Sequence, residues 1–153
     1  MIYYKHTQPG WGVLLILGTS TALTAVWAAF TGWNILFLVL SAVQIIAMVL
    51  FASLTVEITG AELALTFGPG LIRKRWHLKD IASCHAVRNA WWYGLGIHFT
   101  PHGWLYNVSG LDAVEVKLHG GKRLRIGTDV PHELERAVGQ AIYEHDPHFQ
   151  RPA

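Results

Sequence analysis

The sequence predicts a membrane-anchored α+β protein: a two-helix transmembrane hairpin, then a small domain of short antiparallel strands with one C-terminal helix. Three observations predict it. Lys5 is the only charged side chain before Glu57, and charged residues make up 14% of the whole chain, against ~25% in soluble domains. After Ser53 apolar residues recur at every second position, the period of a half-buried strand. Leu134, Ala137, Val138, Ala141 and Ile142 then recur at i, i+3, i+4, i+7 and i+8, one face of a helix.

The hairpin occupies residues 11–52, with spans at about 11–30 and 35–52, after an N-terminal cytoplasmic segment of residues 1–10. A run of ~20 apolar residues crosses the ~30 Å hydrocarbon core as a helix. Only Thr31-Gly32-Trp33-Asn34 separates the two runs, so they should be antiparallel neighbours. A cleaved signal peptide fits less well, because Lys5 alone would form its basic region and a second apolar run follows at once. Small residues in the first span, Gly18 and the series Thr21, Ala25, Ala29, allow close helix approach. Gln44 lies near the middle of the second span, level with Ser20, Thr21 and Thr24, and should hydrogen-bond one of them. Lys5 precedes the first span and Arg73, Lys74 and Arg75 follow the second, so the positive-inside rule places both termini on the cytoplasmic side of the inner (cytoplasmic) membrane, as a multi-pass protein. Tyr3, Tyr4 and Trp11 at one interface and Trp27, Phe30 and Trp33 at the other suit headgroup depth.

The polar domain covers residues 54–143. Leu54, Val56 and Ile58 alternate with polar neighbours, as do Leu63, Leu65 and Phe67. Gly68-Pro69-Gly70 is a turn, and Leu71–Leu78 is a third strand with Arg73, Arg75 and His77 on one face. Further strands are expected at Ile81–Val87, Leu95–Thr100 and Trp104–Val108, with Trp91-Trp92-Tyr93-Gly94 as a loop. The last hairpin is the best defined. A three-residue turn at His119-Gly120-Gly121, with one glycine at positive φ, sets Val116 opposite Leu124, Glu115 opposite Arg125 and Val114 opposite Ile126; a two-residue turn would mix the faces. Thr128 or Asp129 is placed to cap the final helix, and residues 144–153 form a flexible tail. Seven or eight such strands curl into a barrel or two packed sheets, with the helix over an open end.

The segments FGPGLIRKRWHL, LKDIASC, WWYGLGI and RLRIGTDVPHELERAV, with the strands around Gly60, resemble the bacterial pleckstrin-homology (PH-like) domains found beside transmembrane helices. TPHGWLYNVSGLDAVEVKL is similar to small membrane proteins of this kind. The resemblance covers roughly Leu54 to Tyr143 and leaves the hairpin outside. It implies a partly open antiparallel β-barrel with a C-terminal helix, and no catalytic residues, since the family has no common reaction.

The chemistry expected is accordingly non-enzymatic, with no cofactor. The formal net charge is only +2, well below the basic surplus usual for nucleic-acid binding. Asp80, Asp112 and Glu115 are isolated along the chain. His98 with His102, and His145 with His148, lack the Cys or second His pair of a metal site, so no metal is expected. Cys84 is the single cysteine and reads as a buried apolar residue. Two contact surfaces stand out. One is Leu71, Ile72, Arg73, Lys74 and Arg75, two apolar residues and three cations suited to an anionic leaflet. The other is Trp91, Trp92 and Tyr93, which either plug the barrel end or meet lipid or a partner. The leading expectation is a scaffold, assembly or interaction subunit held at the bilayer, with self-association or another membrane protein as partner. An anionic lipid headgroup sensor is the second reading, and a histidine-based metal- or pH-responsive protein the third.

Overall fold

The first element is a strand that apolar alternation does not reveal. The computed structural model describes residues 2–145, and Ile2–Pro9 forms strand β1, within the N-terminal segment to which the sequence assigns no element. β1 leads into helix α1 (Trp11–Thr31), a short turn and helix α2 (Ile35–Leu50). Strand β2 (Ser53–Thr59) then runs back antiparallel beside β1, with Pro9 opposite Ser53 and Ile2 opposite Thr59. The helical pair is therefore spliced into the tip of a β-hairpin, where the Gly10 amide donates to the Ala52 carbonyl at 2.7 Å. Tyr4, His6 and Gln8 are the more buried side chains of β1. Their polar groups erase the period-2 apolar pattern that marks the other strands.

The second helix ends at Leu50, two residues before the predicted boundary at Ala52. Phe51 leaves the helix to pack its ring edge-on against Phe67, with centroids 5.5 Å apart. At the other end Asn34 caps α2, its Oδ1 accepting from the amides of Leu36 at 3.0 Å and Phe37 at 3.3 Å, which satisfies two of the orphan donors at a helix start.

Strands β3 (Glu62–Phe67) and β4 (Ile72–His77) complete a four-stranded sheet in the order β1-β2-β3-β4. Leu54, Val56, Ile58, Leu63, Leu65 and Phe67 line its inner face and are buried. One turn of 3-10 helix, Leu78–Asp80, carries the chain into a second sheet. It comprises β5 (Ile81–Arg88), β6 (Gly96–Thr100), β7 (Gly103–Asn107), β8 (Asp112–Leu118) and β9 (Arg123–Gly127), ordered β5-β8-β9-β7-β6. Between β8 and β9, Val114 faces Ile126, Glu115 faces Arg125 and Val116 faces Leu124. Gly121 takes the positive φ, 79°, in the His119-Gly120-Gly121 turn.

Three expectations are corrected. The strands among the described residues number nine, because of β1. The pairing is not wholly antiparallel: the β8–β9 hairpin inserts between β5 and β7, so β7 lies parallel to β9, with Tyr106 opposite Ile126. No barrel closes, and the strands form two separate sheets. The Leu78 amide turns back to the Ala61 carbonyl at 2.9 Å, and β5 pairs with β8 instead of continuing the ladder from β4.

Helix α3 (Pro131–His145) packs on β5 and β8 and reaches β1 and β2. Its Leu134, Val138, Ala141 and Ile142 close the core over Val114, Val116 and Leu124. Thr128 Oγ1 accepts from the Val130 amide at 3.2 Å, while Asp129 is engaged by His6 Nε2 of β1 at 2.6 Å, so the helix start is tied to the edge strand. Glu144 and His145 belong to α3 and not to a tail; the remainder of the predicted tail lies outside the described residues.

Cys84 sits in this core, its thiol donating to the Glu135 carbonyl at 3.6 Å. Burial first, and the nearby Glu135 charge second, push its pKa from 9.0 up to about 12. The folded state therefore holds the thiol proton more tightly than the unfolded state. This contribution to stability is complete below pH 9 and is lost as pH rises from 9 toward 12. A maleimide at pH 8 is expected to leave the folded chain unlabelled and to label it in urea. Rapid labelling of the folded protein would contradict this burial.

Candidate functional site

The helical pair exposes apolar side chains on nearly every side. Leu15, Ile16, Leu23, Val26, Trp27 and Phe30 of α1 and Leu36, Leu38, Val39, Val43, Ile46 and Val49 of α2 are all exposed. α1 is long and apolar enough to cross a membrane, with a mean hydropathy of 1.9 in its best window, while α2 is the shorter apolar helix. Polar side chains are gathered between the helices. Gln44 Nε2 donates to Ser20 Oγ at 2.7 Å, and Thr21 Oγ1 lies 3.1 Å from Gln44 Oε1. Thr24 instead donates to the Ser20 carbonyl at 2.9 Å. Clamps of this kind contribute ~0.6–2 kcal/mol between helices in lipid. Ala25 is half-buried, Ala28 is the fully buried small residue, and Ala29 is exposed. A Cβ added at Gly18 would meet nothing within 4 Å, so close backbone approach does not centre there.

At the hairpin end of the first sheet lies the Gly68-Pro69-Gly70 turn. The Gly68 amide donates to the Ser53 carbonyl at 2.9 Å. Gly68 has φ 46°, and a Cβ there would collide with the carbonyl oxygens of Val49 and Leu50 in the last turn of α2. The turn is thus wedged under the helix. Next along the chain, Leu71 is 79% exposed, whereas Ile72 packs against the core. Arg73 Nε donates to the Gly70 carbonyl at 2.8 Å. Arg75 lies two positions farther from the helices, 3.9 Å from Glu62. Arg73 and Arg75 pair with Thr66 and Ala64, while Lys74 is opposite the inward Leu65. The three cations therefore divide between two faces of the strand, and Leu71 with Arg73 forms the part nearest the hairpin.

Trp91, Trp92 and Tyr93 form a 3-10 turn in the segment that connects β5 and β6, the two end strands of the second sheet. The rings make a ladder of edge contacts, Trp91 to Trp92 at 5.8 Å and Trp92 to Tyr93 at 6.2 Å, and Tyr93 meets His102 at 6.0 Å. Trp91 is 76% and Trp92 68% exposed, whereas Tyr93 is half-buried.

At the start of this connection lies a buried polar cluster that the sequence reading did not pick out as a site. Arg125 Nε and Nη2 both reach Glu115 Oε2 at 2.8 Å, and Arg125 Nη1 donates to Asn89 Oδ1 at 3.0 Å. Glu115 is 6% and Arg125 7% exposed. His85 and Arg123 approach the other carboxylate oxygen at 3.7 and 3.9 Å. Cross-strand pairing exposed Glu115 opposite Arg125 in the sequence, but no local pattern signals that the pair is buried. Among the described residues no three His, Cys, Asp or Glu side chains gather as a metal-binding group.

The fold and these surfaces define a class: an α+β domain of two packed sheets with an exposed apolar helical pair spliced into one sheet edge. No family model and no curated protein matches the chain.

Proposed function

We propose that this chain is a non-enzymatic, membrane-anchored interaction module, in which the helical pair crosses the bilayer and a PH-like domain is held against its cytoplasmic face as a scaffold or assembly subunit. The observation that carries the reading is the exposed apolar surface of α1 and α2, joined to the sheet through the Gly10–Ala52 hydrogen bond. Water would solvate that surface at ~25 cal/mol per Å², whereas lipid solvates it without cost. Because β1 and β2 are paired, both ends of the helical pair lie on one side of the bilayer. The cations of β4 favour the cytoplasmic side. A two-sheet domain with a C-terminal helix supports the PH-like resemblance; the strand before the hairpin and the parallel β7–β9 pair are features that the resemblance did not imply. At ~1.5 Å per residue α1 reaches ~31 Å and α2 only ~24 Å, so the bilayer is expected to thin locally beside α2.

Excision of the hairpin tests this. Residues 11–51 replaced by Asn-Gly should leave β1 and β2 joined by a tight type I′ turn and convert a detergent-requiring protein into a water-soluble one. Full-length protein that stays monodisperse in buffer without detergent would refute the membrane reading.

A second reading, contact with anionic headgroups, is favoured by one observation: exposed Leu71 and Arg73 sit beside the turn that is wedged under α2. The excised domain should float with vesicles containing phosphatidylglycerol and not with phosphatidylcholine alone. Each cation near such a surface is worth ~1 kcal/mol, or about fivefold in partitioning. Unchanged flotation after neutralising Arg73, Lys74 and Arg75 together would rule this contact out.

A further inference from the structure

The second sheet carries another surface, at the end farthest from the helices. The near end is fixed by the Val13 amide donating to the Val108 carbonyl at 3.2 Å, just past β7. At the far end the β6–β7 turn meets the β8–β9 turn. A cleft of about 430 Å³ lies between them, lined by Phe99, Pro101, His102, Trp104, Lys122 and Arg123. Phe99 is 71% and Trp104 48% exposed, and their rings pack edge to face at 5.8 Å. The floor is preformed. Gly103 has φ 97°, and its missing Cβ lets the backbone lie directly on the Arg123 carbonyl, which joins the two turns.

The charge around the cleft has one sign. No carboxylate lines it. The carboxylate nearest Arg123, that of Glu115, is already held by Arg125 at 2.8 Å. Lys122 and the half-exposed Arg123, whose one carboxylate contact among the described residues is the 3.9 Å approach to Glu115, can therefore attract an anionic group from outside. β6 is the end strand of its sheet, so its outer backbone groups can pair with an added extended segment. Exposed aromatic rings beside exposed cations, on an end turned away from the helices, match the chemistry of an interaction hot spot.

We propose that this cleft binds an extended acidic segment of a partner protein, which seats an aromatic or proline side chain against Phe99 and Trp104 and sets its carboxylates on Lys122 and Arg123. The proposal rests on the reading of the chain as an interaction module and supplies the chemistry of its partner.

The test uses the full chain in phosphatidylcholine–phosphatidylglycerol nanodiscs and a random dodecapeptide phage library. Enriched peptides are expected to be net negative and to carry an aromatic residue or proline. A synthetic copy of the most enriched peptide should bind about tenfold more weakly to Trp104→Ala and to the exposed charge reversal Lys122→Glu, and binding should weaken further with salt. Gln140→Ala, on the exposed side of α3, should leave binding unchanged. Circular dichroism melts confirm that the variants are folded. The proposal is overturned if no peptide is enriched, if enriched peptides are neutral or basic, or if affinity ignores both variants. Tryptophan quenching by brominated lipid that is smaller in Trp104→Ala than in the unchanged chain would also overturn it, by showing that the cleft faces the bilayer. If the cleft fails while the chain still co-purifies with a membrane partner, the docking site is wrong and the module reading stands; a monomer without partners removes both.

Discussion

Replacing Arg125 with Met is expected to destabilise the domain by about 3–5 kcal/mol, enough to threaten folding altogether. The side chain supplies two contacts of 2.8 Å to Glu115 and one of 3.0 Å to Asn89. Without it, Glu115 keeps a buried charge whose remaining partners, His85 and Arg123, stand 3.7 and 3.9 Å away and are themselves half-exposed. The loss measures the cost of an orphaned carboxylate more than the net worth of the pair. The double replacement Glu115→Leu with Arg125→Met should therefore recover most of the stability, short of the bond to Asn89. Urea unfolding in detergent, followed by tryptophan fluorescence, measures both. If the single and double variants are equally unstable, packing and not charge explains the loss.

Gly68→Ala should have the second largest effect, about 2–4 kcal/mol. At φ 46° a side chain carries left-handed strain, and the added methyl enters the space held by the Val49 and Leu50 carbonyls, an overpacking that neighbouring backbone cannot easily relieve. Gly70→Ala is the internal control. Its φ is 94°, but the nearest atom to an added Cβ is Arg73 Nη2 at 2.8 Å, the end of a side chain that can swing away. The expected signature of Gly68→Ala is protease cleavage near Phe51 and Ala52 at conditions where Gly70→Ala remains intact. Equal resistance of the two variants would show that the turn is not wedged under the helix.

The readable parts of the fold are those where burial follows chain period. Strands β2 and β3 alternate strictly because one face meets the core and the other meets water. The β8–β9 register was legible because a shift by one residue would have turned Val114, Val116, Leu124 and Ile126 outward. β1 was not legible, since its more buried positions hold Tyr4, His6 and Gln8, whose polar groups mask the apolar period. Gln8, for example, donates to the Ser109 carbonyl at 3.0 Å. The parallel meeting of β7 and β9 was invisible because it joins segments that share no turn. Among the surfaces, the basic strand and the tryptophan turn announced themselves by composition. The cleft at Phe99 and Trp104 did not, because its cations come from a different hairpin and only tertiary folding brings them beside the rings.

The chain makes β1 first and its ladder partner β2 only after both helices have been made. Until then the outermost strand has nothing to zip against, and the ladder behaves as a latch that closes last. A helical hairpin with its ends side by side shortens that search to a few ångströms, which offsets most of the entropy of closing so long a loop. If the helical pair crosses the bilayer as proposed, a chain that threads only one of its two helices would leave β1 and β2 stranded apart, and the mistake would forfeit the whole edge of the sheet.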